Sequence, residues 1–116
     1  MGKKIDVAGA EELADGTMTG LTVEGEKILL VNAGGTYYAT SDVCAHLGGT
    51  LSKGTLEGYV VTCPRHGSQY DVRTGENLRW LKGKGLVAEV AKVIKSPRGI
   101  KSYPTEVKDG RVFVEI

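Results

Sequence analysis

Asp42-Val43-Cys44-Ala45-His46-Leu47-Gly48-Gly49 and Cys63-Pro64-Arg65-His66-Gly67-Ser68-Gln69-Tyr70-Asp71 decide the reading of this chain, because they hold both of its cysteines and both of its histidines. Each stretch contributes one sulfur and one imidazole, as C-x-H and then C-x-x-H, with residues 47–62 between them. Donors in two matched pairs point to a single metal site fed by two loops. Two thiolates and two imidazoles satisfy tetrahedral zinc, although structural zinc sites usually pair like with like, as C-x2-4-C with H-x3-5-H. They also suit a two-iron centre, in which each iron takes one donor type. A third reading makes the cysteines ordinary buried thiols and the histidines unrelated to them.

The flanking residues separate these readings. Leu47-Gly48-Gly49 through Leu51 and Gly54, and Gly67-Ser68-Gln69-Tyr70-Asp71 through Thr74-Gly75-Glu76, resemble the two cluster loops of the Rieske iron-sulfur family, here residues 42–54 and 63–76. The resemblance implies one 2Fe-2S cluster per chain, with Cys44 and Cys63 on the inner iron and His46 and His66 on the outer one. It places Leu47, Pro64 and Gly67 as a shield around the cluster and the histidine edge as the electron exit. Ser68 and Tyr70 match positions where the respiratory members direct hydroxyls at cluster sulfurs. The ferredoxins of ring-hydroxylating oxygenases, which the rest of the chain resembles better, usually carry apolar residues there. The extra cysteine pair of the respiratory type is missing.

Such ligation has an electrostatic consequence. With neutral imidazoles the oxidised cluster carries no net charge and the reduced one a single negative charge, whereas four thiolates would add two further negative charges. Rieske potentials accordingly span roughly −150 to +300 mV, against about −400 mV for plant-type ferredoxins. Bound ferric iron also acidifies the imidazoles, so the potential is expected to fall with pH above the first oxidised-state ionisation.

Composition fits a small carrier. The 116 residues are expected to form one domain spanning 1–116, 41% hydrophobic and 25% charged, with 17 glycines that imply many turns. The longest aliphatic run, Ile28-Leu29-Leu30-Val31, is far too short to cross a bilayer, and no signal-like apolar segment follows Met1-Gly2-Lys3-Lys4. With both cysteines claimed by the site, the expectation is a cytoplasmic monomer with neither membrane nor nucleic acid as partner.

Periodicity and turn chemistry predict an all-β chain, an antiparallel sandwich or small barrel with the two loops at one end. The expected strands are 4–8, 21–23, 27–32, 36–40, 59–62, 69–71, 103–107 and 112–115, with hairpin turns at Glu24-Gly25-Glu26, Ala33-Gly34-Gly35 and Lys108-Asp109-Gly110-Arg111. Glu11 to Ala14 is read as one helical turn.

Residues 79–101 look like an insertion relative to a minimal Rieske ferredoxin. Leu86, Val87, Val90, Val93 and Ile94 suit one face of a short helix ending near Ser96-Pro97, while Val87 to Val93 also permits a strand. Seven basic side chains face Glu89 alone in this segment, whereas residues 1–78 hold six basic and ten acidic ones. The segment reads first as a solvated face and second as a patch that steers an acidic redox partner. Trp80 is read as a core anchor at its start.

No nucleophile-base pair, paired carboxylates or phosphate loop is present; Gly83-Lys84-Gly85 lacks P-loop spacing. The chain is therefore read as a one-electron carrier between a reductase and a terminal oxidoreductase, and not as an enzyme. The alternatives are a small subunit of a nitrite reductase or oxygenase complex and, from another class, a zinc-stabilised binding module.

Overall fold

A computed structural model describes residues 3–9, 11–44, 49–65, 67–79 and 99–116. Its strands are β1 (Lys4–Gly9), β2 (Thr17–Val23), β3 (Glu26–Ala33), β4 (Thr36–Ser41), β5 (Thr55–Glu57), β6 (Val60–Thr62), β7 (Gln69–Asp71), β8 (Asn77–Arg79), β9 (Ser102–Tyr103), β10 (Thr105–Lys108) and β11 (Arg111–Glu115). They form three antiparallel sheets, ordered β1-β11-β10, β2-β3-β4-β9 and β5-β6-β7-β8. Among the described residues all pairing is antiparallel and no sheet closes into a barrel, so the sandwich form of the expectation holds and the barrel form does not.

β3 occupies the middle. Its run Ile28-Leu29-Leu30-Val31 is fully buried on both faces, unlike the half-buried strand that strict alternation would give. Ile28 and Leu30 join Val112 and Val114 of β11, Tyr37, Ala39 and Tyr103 in one apolar cluster. Leu29 and Val31 point the other way, into a second cluster with Leu51, Val61, Tyr70, Val72, Cys44 and Cys63. The alternation of side chains along one strand thus divides the core in two and places both cysteines in the second part.

The predicted hairpins form with the expected chemistry. Glu24-Gly25, Gly34-Gly35 and Asp109-Gly110 all take positive φ at both central positions, the primed geometry that matches strand twist. Sequence reading missed β5 and β8, each only three residues long. It also fused β9 and β10 into one strand. Pro104 separates them, since it offers no N–H to a ladder: Tyr103 pairs with Ala39 of β4, while Thr105 pairs with Val114 of β11.

Glu11 to Ala14 is a turn followed by bends, not a helical turn. Its polar groups are drawn into other bonds: Asn32 Nδ2, from β3, donates to the Leu13 carbonyl at 2.8 Å, and locally Glu12 Oε1 accepts from Gly9 N–H. The expected helix near 86–94 and Trp80 lie outside the described residues. Among those described, no helix is long and apolar enough to cross a membrane.

Gly99 and Ile100 lie against Gly75, in the turn that follows β7. Gly75 N–H bonds the Asp71 carbonyl at 2.7 Å, and Ile100 N–H bonds the Gly75 carbonyl at 2.8 Å. Gly75 has φ +82°, and a Cβ there would collide with the Ile100 carbonyl oxygen. Gly16 has φ +79° but open space around it. A non-glycine residue at such φ costs about 1–3 kcal/mol. Gly75→Ala should therefore lower the thermal unfolding midpoint clearly more than Gly16→Ala; equal losses would mean that the 75–100 contact yields freely.

Candidate metal centre

The first loop leaves β4 at Ser41 and returns at the 3-10 turn Leu51–Lys53. Its stem is closed by backbone pairing: Val43 bridges Thr50, Leu51 N–H bonds the Asp42 carbonyl at 2.9 Å, and Cys44 N–H bonds the Gly49 carbonyl at 2.7 Å. The second loop joins β6 to β7 in the same manner. Cys63 N–H bonds the Ser68 carbonyl at 2.8 Å, and Gly67, at φ +76°, returns its N–H to the Cys63 carbonyl at 3.1 Å. Both loop stems are thus closed by backbone amides of the loops themselves.

The structure brings the two thiols to one wall. Cys44 and Cys63 are each 2% exposed and share the buried cluster behind β3. A Cβ built on Gly49, whose carbonyl holds the Cys44 amide, would lie 2.7 Å from Cys63 Sγ and 3.2 Å from Arg65 Cγ. Only a residue without a side chain allows the first loop to pass so close to the second. Gly54 acts similarly at the loop base, where a Cβ would collide with the Thr62 carbonyl oxygen.

The remaining sequence-predicted residues divide by exposure. Tyr70 is fully buried, and its Oη lies 3.2 Å from Cys44 Sγ, within hydrogen-bonding distance for sulfur. Ser68 is also fully buried. Gly67 is buried and Pro64 exposed. His46, Leu47 and His66 lie outside the described residues, so the imidazole half of the expected donor set rests on the sequence.

Beyond the second loop, Asp71 accepts from Arg73 N–H at 2.9 Å and from the guanidinium Nε at 3.0 Å and Nη2 at 2.9 Å, and Arg73 lies 4.3 Å from the Tyr59 ring centre. The side-chain hydrogen bonds from Arg73 hold the Asp71 carboxyl below its usual range. Their contribution to stability is present above the ordinary aspartate range and lost as pH falls through the depressed value.

Sequence reading missed three contributors. Gly49 and Gly54 were legible only as loop glycines. Asp42 is 6% exposed and binds Ser52 through both carboxylate oxygens, to N–H at 2.7 Å and Oγ at 2.8 Å. Gly20, unusual in the interior of β2, was its one sequence signal: a Cβ there would lie 2.6 Å from Asp42 Oδ2.

These features fit a cluster with two cysteine ligands. Two buried thiols without a disulfide, a hydroxyl against one sulfur and a loop crossing open only to glycine form a cradle for sulfur-ligated metal. The sequence sets one histidine beside the cysteine in each of these loops, as a two-sulfur, two-nitrogen donor set would require.

Comparison with known proteins agrees. The family model for the Rieske [2Fe-2S] domain matches residues 3–103. The ferredoxin component of the naphthalene 1,2-dioxygenase system of Pseudomonas aeruginosa is 33% identical over 98% of this chain and 96% of its own length. A structure titled as the complex of reduced oxygenase and oxidised ferredoxin in carbazole 1,9a-dioxygenase holds a chain 30% identical, with a TM-score of 0.76 over 96% of this chain and 91% of that one. The ferredoxin of carbazole 1,9a-dioxygenase from Nocardioides aromaticivorans IC177 superposes with a TM-score of 0.80 over 97% of this chain and 96% of its own at 24% identity, a likeness of fold. The zinc-module alternative gives way to these matches: the chain belongs to the Rieske [2Fe-2S] family, whose cofactor is a 2Fe-2S cluster.

Proposed function

We propose that this protein is a Rieske ferredoxin in which Cys44 and Cys63 hold the inner iron, His46 and His66 the outer one, and which passes single electrons from a reductase to a terminal oxygenase. The observation that carries the reading is the pair of buried thiols on one wall, with Tyr70 Oη against Cys44 Sγ. Similarity across nearly the whole length of separate ferredoxin components supports a carrier, as one domain, over a tightly held enzyme subunit. The reductase, the monomeric state, a cytoplasmic setting and an acidic partner surface met by the basic segment belong to the same reading.

A bound 2Fe-2S cluster supplies one reversible electron. The protein's work is to hold the ligands still and to set the energy of that electron. Rigid loop stems limit reorganisation of the ligands between oxidation states. The buried wall of Leu29, Val31, Leu51 and Val61 keeps water from the sulfur side. Hydroxyls near sulfur act in the opposite sense to a dry apolar wall: a donor stabilises the more negative, reduced state and raises the potential. Tyr70 has this role at the Cys44 sulfur, and Ser68, one residue past Gly67, has it beside the second loop. The potential is accordingly expected to lie above that of ferredoxins with apolar residues at both places.

Spectroelectrochemical titration tests this reading. One electron per chain with reversible, single-step behaviour is expected; a redox-silent protein would end it. Tyr70→Phe and Ser68→Ala should each lower the potential, by on the order of 59 mV, the shift that matches a tenfold change for a one-electron couple. Unmoved potentials in both variants would remove the hydroxyls from the account. Gly49→Ala should leave iron and acid-labile sulfide per chain well below wild type, because its Cβ falls on Cys63 Sγ; wild-type content would show that the loops need not pass so closely.

A further inference from the structure

Asp42 is a buried acid that the electron-carrier account does not yet use. It is 6% exposed, and the described ion pairs all lie elsewhere on the surface, with none reaching it. Both of its carboxylate oxygens act as acceptors, toward Ser52 N–H and Ser52 Oγ. The fold makes room for the arrangement at Gly20, where a Cβ would lie 2.6 Å from both Asp42 Oδ2 and Ser52 Oγ. A glycine within a strand, and a carboxylate taken from water with a serine as its side-chain partner among the described residues, are both unfavourable in themselves.

The geometry also gives Asp42 a mechanical part. Thr50 stands at the N-cap of the 3-10 turn without a side-chain cap bond. Asp42, ten residues earlier, supplies it by accepting the Ser52 amide, while its own carbonyl accepts Leu51 N–H and its own amide donates to the Lys27 carbonyl at 2.9 Å. One residue therefore ties β3, the outgoing stem and the returning stem of the first loop, two positions before Cys44.

We propose that Asp42 is a positioning residue of the first cluster loop whose fixed negative charge also holds the potential down, opposing the hydroxyls of Ser68 and Tyr70. The inference rests on the cluster assignment above. An anion two positions along the chain from a ligand of the centre disfavours the added electron, and in a protein interior this effect is far less screened than in water. The residue pair thus sets two quantities at once, loop geometry and electron energy.

The test uses the intact, cluster-bearing protein. Asp42→Asn keeps the shape and can still accept Ser52 N–H, while removing the charge. It should raise the reduced-to-oxidised ratio at fixed poise by about tenfold, equivalent to about 59 mV for one electron, with the paramagnetic resonance g values unchanged. Ser52→Ala keeps the charge and loosens the latch, and should change that ratio less than about threefold. Asp42→Ser is measured alongside as a second way to remove the charge. A wild-type potential in Asp42→Asn, an equal rise in Ser52→Ala, or failure of both Asp42 variants to hold a cluster would overturn the proposal. Wild-type protein lacking a histidine-ligated cluster would instead overturn the functional reading on which it stands.

Discussion

Burial of β3 on both faces is the constraint on which the rest depends. Its amides are satisfied by β2 on one side and β4 on the other, so its side chains are free to serve two cores. Full burial of an aliphatic side chain of this size contributes about 1.5–3 kcal/mol, and Ile28, Leu29, Leu30 and Val31 are all fully buried. A register slip of one residue would exchange the two faces. Leu29 and Val31 would then leave the wall that carries Cys44 and Cys63, and the metal centre would lose its floor. The central strand therefore specifies the site before any ligand is considered.

On that floor, loop geometry is set by backbone rather than by long side chains. Cys44 and Gly49 close one loop, Cys63 and Ser68 the other, and Gly49 and Gly54 let the chains cross where a Cβ could not fit. Against this rigid frame, a few polar groups in an otherwise apolar interior acquire influence. Tyr70 and Ser68 stand on the second loop side and Asp42 on the first, all buried. Hydroxyl and carboxylate act with opposite sign on the energy of an added negative charge, and low polarizability around them enlarges both effects. A carrier working between two partners needs its potential between theirs, and opposed groups are a means of placing it there.

How much of this was legible in the sequence follows from the range of the interactions. The three hairpins were readable because Gly25, Gly34-Gly35 and Asp109-Gly110 meet a local need for positive φ. That Cys44 and Cys63 belong together was readable because each falls beside a histidine in one of two matched pairs, and the structure buries both in one cluster. What escaped was non-local. The Glu11 to Ala14 segment has helix-forming residues, yet Asn32, far along the chain, takes the Leu13 carbonyl. β9 and β10 read as one alternating strand until Pro104 assigns them to different sheets. Gly20 falls outside the expected strand 21–23, and the approach of Asp42 and Ser52 explains why β2 carries a glycine there. The same holds for Gly75, whose partner Ile100 lies at the far end of the basic segment.

The central claim is that two buried cysteines and two histidines hold one two-iron centre, and low-temperature electron paramagnetic resonance of the purified protein before and after dithionite reduction tests it most directly. The account predicts silence when oxidised and, on reduction, one signal with an average g below that of all-cysteine clusters, integrating to one spin per chain. A colourless protein, silent in both states and containing zinc although expressed with iron and sulfide in supply, would contradict it.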